Sequence, residues 1–363
     1  MGTDAMGADA FLLGRVLVQF DDPDLDLKGN ISGVAIAPDG SLWLGSDELA
    51  SVERLQAIAP YTFGKHHSCN LHNFLPLPVE DQEIDIEGME YRDGYLWLTG
   101  SHSTKRKKPK GKKPEKDLKR LKQIKTEPNR YTVARIPLVD GELHMTAPNP
   151  DHSNKTLSAG WLPFSDDGSN VLTEALAEDE HLGTFVANDL PSKENGFDVE
   201  GLAVQGDRLF LGLRGPVLRG WAIILELCIH NGKSGEIKLK TFKDTGKPYR
   251  KLFVDLDGLG VRDLCMHGDD LLILAGATMD LIGATRVFRL RDVQDQPSDT
   301  LISQEDKELT AIIDLPYNPR CDKAEGMTLF PYLGFEGLLI AHDDPAPNRV
   351  PNQRSLLLDV FRL

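Results

Sequence analysis

Three glutamates stand in one local pattern, Ile86-Glu87-Gly88, Val199-Glu200-Gly201 and Ala324-Glu325-Gly326, each at the mouth of an apolar strand. Carboxylates in such places are costly to bury unless they are paired, hydrogen-bonded or metal-bound. Two chemistries meet that need. In the first, Glu87, Glu200, Glu325 and Asp343 give oxygens to a hard divalent cation, Ca²⁺ or Mg²⁺, which would polarise a substrate and activate water. Histidine ligation would shift the choice toward Mn²⁺, Zn²⁺ or Fe²⁺. In the second, Arg262 and Arg214 neutralise the carboxylates and no cation is needed. The catalytic reading makes His102 a general acid or base, with Asp47 and Arg262 as further catalytic candidates. Arg214, Arg219, Lys105, Arg106 and His342 would then clamp an anionic substrate.

These residues recur because the chain repeats. Ile31-Ser32-Gly33 and Val261-Arg262-Asp263 occupy the same place as the three Glu-Gly signatures, and all five are followed by strand, turn, strand. The turns Asp39-Gly40, Asp93-Gly94, Gly206-Asp207 and Gly268-Asp269 are of types that hairpins favour. A spacing of about 60 residues is the mark of propeller blades. Third strands follow as SVERLQAI, YTVARIPL, WAIILELCI, ATRVFRLRD and SLLLDVFRL, and fourth strands as CNLHNFLPLP, KLFVDLDG and LTAIIDLP. The last unit lacks a fourth strand, and FLLGRVLVQFDD at residues 11–22 is left over to supply it. The expectation is an all-β, five-bladed β-propeller over residues 1–363, closed by its amino-terminal strand so that no long sheet edge is exposed. A sixth unit inside the long second interval is the alternative.

In that architecture the starts of the innermost strands and the ends of the second strands share one face. Ser32, Glu87, Glu200, Arg262 and Glu325 therefore ring the axis, with Asp85, Asp198 and Asp263 beside them. Asp47, His102, Arg214, Asp280, His342 and Asp343 rise from the same rim.

Charge is unevenly spread. Residues 105–125 hold twelve Lys or Arg against two acids, a local +10 in a chain of net charge -15, which leaves -25 elsewhere. This block lies in an insertion in the second blade, residues 104–128, whose proline-containing first half reads as an extended mobile arm. A short helix should follow, from Leu118, Leu121 and Ile124. A second insertion, residues 165–196, carries a helix with Asn170 as its N-cap. The arm suits an anionic small molecule or an acidic macromolecule. Nucleic acid is disfavoured by the acidic body and by the absence of aromatic residues from the arm. No apolar run is long enough for a membrane, MGTDAMGADAFLLG has neither a secretory pattern nor a myristoylation site, and four separated cysteines point to reduced thiols in the cytoplasm. HHSCNLH at 66–72 reads as a surface histidine cluster.

DIEGMEYRDGYLWLTGSHSTKRKKPK and LPSKENGFDVEGLAVQGDRLFLGLRGPVLRGWAIILEL resemble the bacterial domain-of-unknown-function family 3616 over nearly the whole chain. More distantly, the Glu-Gly hairpins are similar to esterase-like phytase and calcium-dependent lactonase propellers. That resemblance implies top-face carboxylates around a metal and a phosphoesterase-like or lactonase-like hydrolase. Ser32 and Arg262 depart from a full carboxylate ring. A non-catalytic propeller that binds an acidic partner through residues 105–125 is the alternative function.

Overall fold

Alternating apolar residues and tight turns build antiparallel hairpins that cannot bury both faces alone, so they stack face to face. A computed structural model describes residues 12–21, 27–152, 154–233, 235–279, 283–316, 318 and 321–363. Asp280 and the amino-terminal stretch before Leu12 lie outside them. The described chain is a β-propeller. Its innermost strands are Ile31–Ile36, Ile86–Arg92, Asp198–Gln205, Gly260–His267 and Lys323–Leu329. Each packs against the innermost strands of its two neighbours, which closes a cycle of five.

From each inner strand a sheet runs outward. The third blade continues through Arg208–Gly215, Trp221–Asn231 and Tyr249–Asp255, and the fourth through Asp270–Gly276, Arg286–Leu290 and Leu309–Asp314. In the fifth, Gly337–Asp343 and Ser355–Arg362 are followed by Leu12–Gln19, which pairs antiparallel with Ser355–Arg362. Leu12–Gln19 also makes a short parallel pair with Thr62–Asn70 of the first blade, so the ends of the chain are stitched together. The core lies between blades: Phe210, Ile224 and Leu252 of the third meet Leu264, Ile273 and Phe288 of the fourth. Trp43 and Trp97 fill equivalent places between the first and second and between the second and third.

Two sequence expectations need correction. The fourth strand of the first blade is Thr62–Asn70, with Leu71–Asn73 a 3-10 turn, because Pro60-Tyr61 closes a tight hairpin in which Ala59 faces Thr62. Tyr61 takes φ 54° there, a conformation its side chain does not advertise. The first half of the basic arm is also tied into a ribbon rather than free, and the expected short helix follows it. Lys105–Arg106 pairs with Ile124–Lys125, and helix α1 (Pro114–Leu121) spans the tip. Asp117 fixes the loop, accepting hydrogen bonds from the Lys110 and Gly111 amides at 2.8 and 3.0 Å. The second insertion holds helix α2 (Val171–Ala177), capped by Asn170.

Candidate functional site

The Glu-Gly signature is a β-bulge. In all five inner strands the register skips one residue, between Ile31 and Gly33, Ile86 and Gly88, Val199 and Gly201, Val261 and Asp263, and Ala324 and Gly326. The skipped residues are Ser32, Glu87, Glu200, Arg262 and Glu325. A bulged residue is released from the ladder, and bulges commonly re-aim a side chain next to a site. The following glycine has a separate reason: a Cβ on Gly88 would come within 2.7 Å of the Leu202 amide nitrogen in the next blade. Asp263 replaces that glycine in the fourth blade. Its carboxylate accepts from the Leu264 and Met327 amides at 2.8 and 2.6 Å, so it staples neighbouring strands and is not part of the open ring.

Arginines occupy much of the axis. Arg262 spans Glu200, at 3.0 Å, and Glu325. Arg214 joins Glu200, at 2.6 Å, to Asp198. Arg130, which carries no signal in the sequence, reaches Asp85 at 2.5 Å, Glu83 at 2.8 Å and Glu127 at 3.0 Å. Glu127 is a local partner three residues earlier, whereas Glu83 and Asp85 come from a distant segment that only the folded chain brings to it. A cation among Glu87, Glu200, Glu325 and Asp343 does not fit this arrangement, since the Arg262 guanidinium takes the place between two of the four. Among the described residues no group of three or more metal-ligating side chains converges.

Two carboxyls raised by their surroundings, Glu87 and Asp47, have no cationic partner among the described residues of the cavity lining. Glu87 makes no ion pair among the described residues, and burial together with Glu200, Asp85, Asp198 and Asp47 pushes it well above the ordinary carboxyl range. Asp47 is pushed up to about 7 by burial and by Asp85, Asp343 and Glu48, and its Oδ1 is buried without a hydrogen-bond partner. Both shifts favour the protonated carboxyl, and Asp47 is brought close to neutrality, where acid–base catalysts are most effective.

They line a cavity of about 950 Å³ whose floor is acidic and whose rim is basic. Asp85, Asp198, Glu200, Glu325, Asp343, Arg214 and Arg262 share the floor, while Lys105, Arg106, Lys107, Lys108 and Arg120 of the arm form one side of the mouth. The second insertion provides the opposing edge through Pro191, Ser192 and Glu194. Lys105 and Arg106 are engaged, the first with Glu83 and Glu127 and the second with Glu194 across the mouth.

Three residues singled out in the sequence stand elsewhere. His102 has φ 55°, which turns it inward. There Nδ1 donates to the Gly100 carbonyl at 2.9 Å, and Nε2 accepts from Asn170 Nδ2 at 2.9 Å. Burial lowers it to about 4, so it is a neutral structural group. His342 is buried outside the cavity lining, and burial with nearby Arg349 likewise lowers it to about 4. Arg219 lies on an exposed turn outside the cavity lining. In the 66–72 cluster, His66 is bound to Glu53 at 2.6 Å.

A family described as "Protein of unknown function (DUF3616)" matches residues 30–359. No curated protein matches the chain. Among solved structures, virginiamycin B lyase from Staphylococcus aureus is 12% identical, covering 96% of this chain and 99% of its own, with a TM-score of 0.36. The PQQ-bound aldose sugar dehydrogenase from Streptomyces coelicolor is 13% identical, with coverages of 96% and 97% and a TM-score of 0.38. A hypothetical protein from Leishmania major is 10% identical, with coverages of 98% and 92% and a TM-score of 0.42.

Proposed function

The chain belongs to that family of unknown function, and we propose that it is a hydrolase of an anionic small molecule, with its active site in the axial cavity. The observation that carries this reading is the pair of raised carboxyls, Glu87 and Asp47, left without an ion pair among the described residues on a floor where Asp85, Asp198, Glu200 and Glu325 are bound by arginine and Asp343 by Lys323. One serves as proton donor to a leaving group while the other, ionised, takes a proton from water. Arg214 and Arg262 act as positioning residues that hold the neighbouring carboxylates in place. No step is assigned to a metal, because Arg262 already binds Glu200 and Glu325, two of the four expected ligands.

The test is a screen of purified protein against carboxylic esters, lactones and phosphoesters, followed by Glu87→Gln. The variant should lose about 10²- to 10⁴-fold in kcat, the usual contribution of a positioned acid or base. Full activity in a folded Glu87→Gln protein would remove the assignment.

The arm tip supports a second reading. Lys110, Lys112, Lys113, Lys116, Lys119 and Lys122 are exposed and make no ion pair among the described residues, a surface suited to an acidic macromolecule. Binding of such a partner would fall steeply with salt and would vanish on deletion of residues 105–125.

A further inference from the structure

The cavity is polar in a directed sense, and this restricts what can be hydrolysed in it. On the floor, Arg130, Arg214 and Arg262 are each already bound to two or more carboxylates. An anion descending there would meet Glu87, Glu200 and Asp47, and among the described residues no uncommitted arginine stands beside them to receive it. At the rim the situation is reversed. Lys107, Lys108 and Arg120 line the same cavity and make no ion pair with any described carboxylate: Lys107 Nζ bonds the Gln123 side chain, and Arg120 Nε bonds the Lys108 carbonyl at 2.6 Å. Among the described residues no aromatic ring lines the cavity, so this lining offers a ligand charge and hydrogen bonding rather than stacking.

We infer that Lys107, Lys108 and Arg120 form an anion subsite that holds a remote phosphate or carboxylate of the substrate, and that the bond broken over Glu87 and Asp47 is an uncharged carboxylic ester. This rests on the hydrolase reading and narrows it. A phosphate ester cleaved at the floor would place its charge beside unneutralised acids, whereas an ester carbonyl is neutral and its anionic end reaches back to the arm. The step balances with water alone. Water oxygen attacks the carbonyl carbon as the Asp47 carboxylate takes its proton, and the carbon–oxygen bond to the alcohol breaks as Glu87 gives its proton to the leaving oxygen. The acid and alcohol depart, and proton exchange returns Asp47 and Glu87 to their starting forms.

The test compares monomethyl glutarate, methyl valerate and glycerol 2-phosphate, with acid release followed in a pH-stat and phosphate release by assay. The two methyl esters match in chain length and differ in the remote carboxylate. The wild-type protein should prefer the charged ester by tenfold or more in kcat/KM and release no phosphate, and Lys108→Ala with Arg120→Ala should bring the preference close to one. Equal turnover of the two esters, phosphate release, or a preference that survives in the double variant would overturn the subsite while leaving a hydrolase. If neither ester is turned over, the hydrolase reading fails for these esters, and titration with glutarate decides the subsite alone. Binding lost in the double variant supports it, and binding that is absent or unchanged overturns it.

Discussion

Two regions concentrate buried charge, and they resolve it in opposite ways. Beside the third blade, the fully buried Lys251 gives its Nζ to Asp179 at 2.8 and 3.0 Å. Asp179 also accepts from Tyr249 at 2.8 Å, from Lys247 at 2.9 Å and from the His181 and Leu182 amides. Burial alone would raise this carboxyl, but the hydrogen bonds from Lys251 and Lys247 outweigh it and hold Asp179 well below the usual range. At the axis, Asp47 and Glu87 have no such partners and are raised. Charge density is therefore a poor sign of function in this molecule. The informative feature is charge that the fold has left uncompensated.

The largest expected effect breaks the resolved cluster. Lys251→Met leaves the buried Asp179 short of its principal partner, and removing one member of a buried pair typically costs about 3–5 kcal/mol. Urea unfolding should show that loss. Glu87→Gln should be neutral or stabilising in the same experiment, because it removes a group that the folded state strains to accommodate. If both variants were equally destabilised, the distinction between the two regions would collapse.

A smaller effect sharpens the contrast through pH. Below about pH 4 Asp47 is protonated in both folded and unfolded chains. Between about 4 and 7 the unfolded chain releases the proton while the folded one, raised to about 7, retains it. The folded state then binds more protons, so stability falls as pH rises through this window and is level above it. Asp179 works in the other direction: its contribution is present above the ordinary carboxyl range and is lost on acidification. Asp47→Asn should flatten the decline between pH 4 and 7 and gain about 1–3 kcal/mol at pH 8, a range discounted for the group's partial exposure to solvent. An unchanged slope would show that Asp47 does not hold its proton.

The ring was legible because its cause is local. The bulge adds one residue and in four of the five strands is followed by a glycine that lets the next blade approach, so Glu87-Gly88, Glu200-Gly201 and Glu325-Gly326 announce themselves in the sequence. Arg262 could be placed by the same register. Arg130 could not, since Glu127 three residues earlier does not distinguish it from other arginines, and Glu83 and Asp85 reach it only through the fold. His102 misled for a related reason: its position in the chain is at the rim, but a left-handed backbone turns the ring toward Asn170. Likewise the arm's ribbon depends on Asp117, one of two acids among twelve bases, capturing the Lys110 and Gly111 amides.

The smallest expected effect concerns a third kind of charged contact, one open to water. Arg106 meets Glu194 through two parallel bonds, one of them 2.9 Å, with the two side chains 30% and 43% exposed. Exposed pairs of this kind add little to global stability, so Arg106→Gln should leave the urea midpoint unchanged. Its role is local, because it ties the arm to the second insertion across the mouth of the cavity. The Lys107 amide, bonded to Gln123 O at 3.0 Å, and the Ser192 amide, bonded to Thr104 O at 3.1 Å, should therefore exchange hydrogen faster in the variant. Unaltered exchange at both amides would mean that the arm is held by its own ribbon and Asp117, and that the rim cations keep their place over the acidic floor without help from the opposing edge.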